Sequence, residues 1–176
     1  MSTEKLIPWT QFAADQRKAA SRVAPLDIIE PIAWQGQDIP PRRWLVEPLI
    51  PEGAVSALYG NGGEGKSIVA LQLLIAAALG RDWLGLPVRR CKALGIFCED
   101  EPEELHRRVS AILKFYDAEP GDLEGLRLVS RVGTMNAMLE YPDRWNPGEE
   151  TAFFGQVMNQ ALEFGAELVV LERFLT

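Results

Sequence analysis

The chain has 176 residues, of which 47% are hydrophobic, and this length and composition suit one domain with a real core. Its formal net charge of −7 excludes a uniformly basic nucleic-acid surface, although local arginine clusters remain, and we expect these to be solvated charge. Its 2 cysteines match no metal spacing or disulfide framework, and its 1 histidine does not support a histidine-based zinc site.

The first 45 residues differ from the rest because proline and tryptophan recur in them. We predict an N-terminal arm over 1–45, with a short helix near Trp9–Val23, followed by a main domain over 46–176. The start of the chain lacks an apolar signal core, and no apolar run is long and isolated enough to span a bilayer. We therefore expect a cytoplasmic protein with no membrane partner.

The most specific motif is Gly60–Ser67, which has the pattern G-x-x-x-x-G-K-S of a phosphate-binding loop. Its glycines allow positive φ angles and a close approach to phosphate oxygens, and the following helix directs N–H groups at the anion. We expect Lys66 to reach the β- and γ-phosphates of ATP and the Ser67 hydroxyl to ligate Mg²⁺. The predicted ATP-binding residues are Gly60, Asn61, Gly62, Gly63, Glu64, Gly65, Lys66, Ser67 and Ile68.

The sequence on either side of this loop supports the interpretation. Ala54–Tyr59 is a short apolar run that predicts a strand, and Lys66–Leu79 consists almost entirely of apolar helix formers, which predicts a buried helix. An ordinary glycine-rich turn before a core helix is the alternative. Such a turn has no need for Lys-Ser at the start of the helix, so the arrangement of strand, loop and helix favours nucleotide binding.

Strands and helices alternate along the remaining chain. We predict strands at Ala93–Cys98, Leu126–Ser130 and Glu167–Glu172, a helix after Asp100 with Leu105, Val109, Ile112, Leu113 and Tyr116 on its core face, and a helix over 148–164. This alternation indicates an α/β fold with a mostly parallel sheet. Ligands of such sheets bind beyond the carboxyl ends of the strands, where the phosphate-binding loop, Glu99 and Glu172 are expected to lie.

Glu99 is a candidate for the water-activating group that hydrolysis of a γ-phosphate requires, because it follows the strand after the loop helix. A carboxylate beside a triphosphate is unfavourable unless Mg²⁺ or a functional role offsets the repulsion. The residues alone equally fit a second interpretation, in which Glu99 and Asp100 begin an acidic helix and Asp100 caps it.

A series of segments occurs in an order that resembles the RecA-like ATPases related to the hexameric plasmid replicative helicase RepA. The segments are Pro40–Val46, Ile50–Gly53, the phosphate-binding loop, Trp83–Gly85, Cys98–Arg108 and Leu128–Gly133. The resemblance covers roughly residues 40–171 and implies a partial RecA-like P-loop core, with Glu99 as catalytic base beside Lys66. It also implies a homo-oligomeric ring that acts on single-stranded DNA in phage or plasmid replication.

The pattern departs from the family at Glu172, which stands where the resemblance implies an aspartate that contacts Mg²⁺. We predict Ser67 and Glu172 as metal-binding residues, although one extra methylene displaces a carboxylate by ~1 Å. The strands that follow this position in RecA-like folds do not follow here, so we expect an incomplete sheet and a truncated product. Two functions remain open, an ATP-hydrolysing enzyme and a nucleotide-binding fragment without turnover, regulatory or non-functional.

Overall fold

The computed structural model describes residues 27–141 and 148–172. The helix predicted near Trp9–Val23 lies outside these residues. The chain divides between Pro41 and Arg42 into two units. In the first unit, residues 27–41 are exposed and contain a short 3₁₀ helix, Pro31–Trp34. None of the helices in the described ranges is both long and apolar enough to cross a membrane.

The described part of the second unit contains three α-helices, one short 3₁₀ helix (Pro120–Leu123) and seven strands. The helices are α1 (Lys66–Leu79), α2 (Pro102–Tyr116) and α3 (Ala152–Phe164), and the strands are β1 (Trp44–Val46), β2 (Ile50–Pro51), β3 (Ala93–Phe97), β4 (Leu126–Ser130), β5 (Leu139–Glu140), β6 (Glu149–Glu150) and β7 (Leu168–Leu171). Strands β1 and β2 form one antiparallel pair, and β5 and β6 form another. Each pair includes a strand of only two residues, too short for an alternation of side chains to show in the sequence.

The central sheet has the order β4-β3-β7, and all of its strands are parallel. Strand β3 lies in the middle, where Gly95 is opposite Leu128 on one side and Val170 on the other. All five residues of β3 are buried, which agrees with the continuous apolar run expected of a parallel strand covered on both faces. The prediction of an α/β fold with a parallel sheet is therefore confirmed.

Helix α1 packs between two apolar clusters. With Leu73, Ala76 and Ala77 it contacts a cluster that includes β1 and Trp83, and with Leu71, Leu74 and Ile75 it contacts β3 and α2. The opposite face of β3 is covered by α3, where Phe153 and Val157 pack against Leu94 and Ile96. Helices thus cover both faces of the sheet, and α1 is the most extensively buried of them.

Helix boundaries follow the local chemistry. Helix α2 begins at Pro102, which needs no N–H at the first helical position, and carries Glu103 and Glu104 in its positive first turn. Helix α3 begins later than residue 148, the predicted start, because Glu149–Glu150 pair as β6 and Thr151 is the N-cap residue. The Thr151 side chain accepts a hydrogen bond from the Phe154 N–H, which fixes this start.

The predicted strand Ala54–Tyr59 does not form. The segment forms no ladder hydrogen bonds with the described strands, and Val55, Leu58 and Tyr59 are exposed. A strand needs a neighbour to satisfy its backbone groups, and among the described residues β7 pairs along one edge only, with β3. The apolar composition of the segment was therefore not enough to make it a strand, because no described strand pairs with it.

Candidate nucleotide-binding site

The Gly60–Ser67 loop has the backbone of an anion-binding turn. Gly63 and Gly65 have φ angles of 79° and 83°, in the left-handed region where only glycine is free of strain. A Cβ at Gly63 would meet nothing within 4 Å, so open space faces the loop there. Helix α1 starts at Lys66, directly after Gly65, which provides no side-chain cap. The first N–H groups of α1 are therefore available to a bound anion, at the positive end of the helix dipole.

Two charged side chains of the loop bind the loop itself. The Lys66 ammonium donates to the carbonyl oxygens of Gly60 at 2.9 Å and Asn61 at 2.6 Å. The Glu64 carboxylate accepts from the Asn61 backbone N–H at 2.8 Å and from the Asn61 side-chain amide at 2.9 Å. The Lys66 ammonium has three N–H donors, so one of them can bind a phosphate oxygen while the other two keep these carbonyls.

Ser67 and Glu172 are 105 residues apart in sequence and meet in space. The Ser67 hydroxyl, in the first turn of α1, donates to Oε1 of Glu172, which directly follows β7. Oε2 of Glu172 accepts from the backbone N–H groups of Cys98 at 2.9 Å and Glu99 at 3.2 Å. The structure thus brings together the loop helix and the carboxyl ends of two neighbouring strands, β3 and β7.

Glu99 and Asp100 are adjacent but differ in environment. Glu99 is exposed, and among the described residues its carboxylate has no hydrogen-bond partner. Asp100 is buried and forms a salt bridge of 2.5 Å with Arg108 of α2. Burial raises the pKa of Asp100, and Arg108 opposes that shift. Of the two, Glu99 is the carboxylate free to act on a ligand.

The expectation that Asp100 caps α2 is wrong. The N-cap residue is Glu101, whose carbonyl accepts from the Leu105 N–H, and no side chain caps the helix. Asp100 instead turns toward Arg108, because a buried carboxylate is stabilised more by a guanidinium than by one N–H group. Glu99 and Asp100 therefore do not act as a pair, and only Asp100 has a structural partner.

Cys98 is a site residue that the sequence analysis missed. Its backbone N–H binds Glu172, and its thiol donates to the Glu172 backbone carbonyl at 3.2 Å. The Glu172 N–H in turn donates to the Ile96 carbonyl at 2.9 Å, which extends the β3–β7 ladder by one residue. The only signal in the sequence was the position of Cys98 at the end of a predicted strand, which does not reveal its neighbour across the sheet.

The arginine clusters expected to be solvated are partly paired within the chain. Arg107 and Arg108 both donate to Glu104, and Arg43 and Arg89 both contact Glu52. These ion pairs neutralise much of the positive charge along α2 and beside β1.

The oxygen ligands at this site fit Mg²⁺ bound together with a nucleotide. Mg²⁺ prefers oxygen and is held by one or two protein groups plus substrate phosphates. Ser67 and Glu172 supply a hydroxyl and a carboxylate directly beside the phosphate-binding loop. In the described ranges no three or more His, Cys, Asp or Glu side chains cluster as a self-sufficient metal site. A cation here would rely on the nucleotide for its other ligands.

A phosphate-binding loop between an exposed segment and a buried helix, with carboxylates at the ends of parallel strands, defines the P-loop class of nucleotide-binding proteins. The family model described as an AAA domain matches residues 19–174. The chain therefore belongs to this AAA-type P-loop ATPase family, whose members bind ATP with Mg²⁺.

Proposed function

We propose that this protein is a Mg²⁺-dependent ATPase, with Lys66 and the loop binding the triphosphate and Glu99 activating the attacking water. The convergence of Ser67, Glu172 and the Glu99 backbone beside the loop carries the proposal. Fixed N–H donors and an ammonium offset the negative charge of the transferred phosphoryl group. A free carboxylate next to them is suited to orient water.

The roles of the individual groups follow from where they are anchored. The N–H groups at the start of α1 would bind phosphate oxygens, and Lys66 would add the only positive side-chain charge of the loop. Bound Mg²⁺ would neutralise charge on the phosphates. The Ser67 hydroxyl would ligate the Mg²⁺ that is bound with the nucleotide, and Glu99 would accept a proton from the water.

The resemblance to the RepA-like helicases extends the proposal to a homo-oligomeric ring that translocates on single-stranded DNA. Because Arg43, Arg89, Arg107 and Arg108 are already paired with carboxylates, we expect DNA contacts to depend on other positive groups of the assembled oligomer. Single-stranded DNA should then increase the rate of phosphate release. Double-stranded DNA of the same length is the control.

Two substitutions test the ATPase assignment. Lys66→Ala should weaken binding of fluorescent ATP at millimolar Mg²⁺ by on the order of 100-fold or more, because the loop loses its cation. Glu99→Gln should keep ATP affinity within about threefold while phosphate release falls by on the order of 100-fold, the typical contribution of a general base. Lys114→Ala and Glu103→Gln, which remove exposed charges on α2, are the matched controls.

A second candidate function is nucleotide binding without turnover. The departure at Glu172 favours it, because a glutamate stands where the resemblance implies an aspartate, and one extra methylene displaces the carboxylate by ~1 Å. Saturable ATP binding that Lys66→Ala abolishes, with no phosphate release from the unaltered protein, would establish this function. Phosphate release that Glu99→Gln abolishes would contradict it.

A further inference from the structure

The connection between β3 and α2, residues 98–101, is bound at Asp100 by groups from α2 and β4. The Asp100 carboxylate forms its salt bridge of 2.5 Å with the Arg108 guanidinium, and the Asp100 backbone carbonyl accepts from the Ser130 hydroxyl at 2.8 Å. Asp100 is buried, and Ser130 is the last residue of β4. The side chain of Asp100 is therefore bound to a helix, and its main chain is bound to a strand.

The register of the sheet explains how β4 reaches this connection. Ser130 lies opposite Phe97, the last residue of β3, and the Arg131 N–H donates to the Phe97 carbonyl at 2.8 Å. These ladder contacts fix the end of β4 beside the end of β3. The Ser130 hydroxyl then extends beyond the ladder to the Asp100 carbonyl, so the connection is bound to the most regular part of the fold.

A purely stabilising role for the salt bridge is the simplest alternative. Helix α2 is already attached to the core through Leu105, Ile112 and Leu113, which pack in the same apolar cluster as α1 and β3. An ion pair that is removed from water contributes little net stability compared with apolar residues of similar volume. What the contacts of Asp100 add is a defined position for the connection itself.

We infer that Asp100 is a positioning residue that fixes the direction of Glu99. This inference rests on the proposed ATPase function. Glu99 directly precedes Asp100, is exposed, and has no hydrogen-bond partner for its carboxylate among the described residues. The direction of that carboxylate therefore depends on its backbone, which Asp100 holds from the following peptide. A displacement of a reacting group by ~1 Å can lower a rate by on the order of 100-fold.

Two neighbouring arginines of α2 provide a matched comparison. Arg107 and Arg108 donate to Glu104 at 2.8 Å and 2.9 Å, but in the described ranges Arg108 alone also reaches Asp100. Arg107→Gln therefore removes an ion pair from the same helix without touching Asp100. Asp100→Ala leaves Arg108 with Glu104 as its partner, so this variant does not leave an unpaired guanidinium.

The first measurement needs no catalytic activity. We would measure the NMR order parameter of the Glu99 backbone amide in the ligand-free protein. It should fall from about 0.85, the value of a rigid backbone, to about 0.6 in Asp100→Ala, because the connection loses its bond to α2. Ser130→Ala should lower it in the same direction, since it removes the donor to the Asp100 carbonyl. Arg107→Gln should leave it unchanged.

The second measurement uses ATP binding and phosphate release. The turnover number should fall by about tenfold or more in Asp100→Ala, with ATP affinity within about threefold of the unaltered protein. Asp100→Asn should restore part of the rate, because its side-chain oxygen can still accept from Arg108. Arg107→Gln should keep both turnover and affinity.

A double variant separates positioning from general loss of folded protein. If Asp100 acts through Glu99, Asp100→Ala should lower turnover by less than about twofold once Glu99→Gln is present. The same loss in both backgrounds would overturn the inference, as would an unchanged order parameter of Glu99 in Asp100→Ala and Ser130→Ala.

The outcome for the ATPase proposal is distinct. If the unaltered protein releases no phosphate, that proposal fails, and the order parameter alone decides whether Asp100 holds the Glu99 backbone. Should Asp100→Ala fail to fold, Ser130→Ala carries the test, because it removes a single hydroxyl group. Its order parameter and its turnover should then both fall, and a variant with neither change would contradict the assignment.

Discussion

Gly95 is a residue at which one added methyl group should disturb the packing of the core. A Cβ placed there would lie 2.5 Å from Leu74 Cδ1, 2.9 Å from Phe97 Cε2 and 3.0 Å from Leu128 Cδ2. Gly95→Ala should therefore overpack the contact between α1 and the sheet and lower the free energy of unfolding by about 1–3 kcal/mol. Urea denaturation followed by circular dichroism measures this change. Equal stability of the two proteins would mean that Leu74 and Leu128 move aside freely.

The reactivity of the Cys98 thiol tests whether this side chain is buried at the site. Burial raises the pKa of its thiol, Glu172 raises it further, and Arg131 lowers it in part. Burial also raises the pKa of Cys91. A raised pKa leaves less thiolate at a given pH, so both thiols should react with a disulfide reagent at pH 8 about tenfold or more slowly than in urea. Fast reaction of one thiol in the folded protein would show that this cysteine is accessible, and Cys98→Ser identifies which.

At the scale of single elements, α3 contains a glycine that nothing in the described structure requires. Gly155 lies within α3, and a Cβ there would meet nothing within 4 Å. Gly155→Ala should raise the free energy of unfolding by about 0.5–1 kcal/mol, because alanine loses less backbone entropy in a helix. The same urea titration measures it, and the pair Gly95→Ala and Gly155→Ala should change stability in opposite directions.

The helices and strands also show how much of the fold can be predicted from the sequence. Helix α1 and strand β3 were predicted because long apolar runs bounded by glycine or acidic residues carry a strong local signal. The segment Ala54–Tyr59 was predicted as a strand and is not one, because pairing depends on a neighbouring strand that local composition does not report. Ser67 and Glu172 were expected at one metal site, and they are in contact, whereas the contact of Glu172 with Cys98 was not predicted, since it depends on which strands are adjacent.

At the scale of the whole molecule, ligand binding should raise the free energy of unfolding and the Tm. A ligand that binds only the folded state at 100 times its dissociation constant adds about 2.7 kcal/mol, which corresponds to a rise in Tm of about 5–10 °C for a chain of this size. We expect such a rise with Mg²⁺ and ATP in a thermal scan. Lys66→Ala should abolish the rise. A rise of the same size in that variant would place the bound nucleotide elsewhere.

The burial of α1 has a mechanical consequence. Its residues belong to both large apolar clusters, so the helix packs against β1 and Trp83 in one cluster and against β3 and α2 in the other. The Gly60–Ser67 loop follows the exposed segment Ala54–Tyr59 and continues directly into α1. A triphosphate bound at the loop would therefore act on α1, and a small tilt of this helix would displace the side chains of both apolar clusters together.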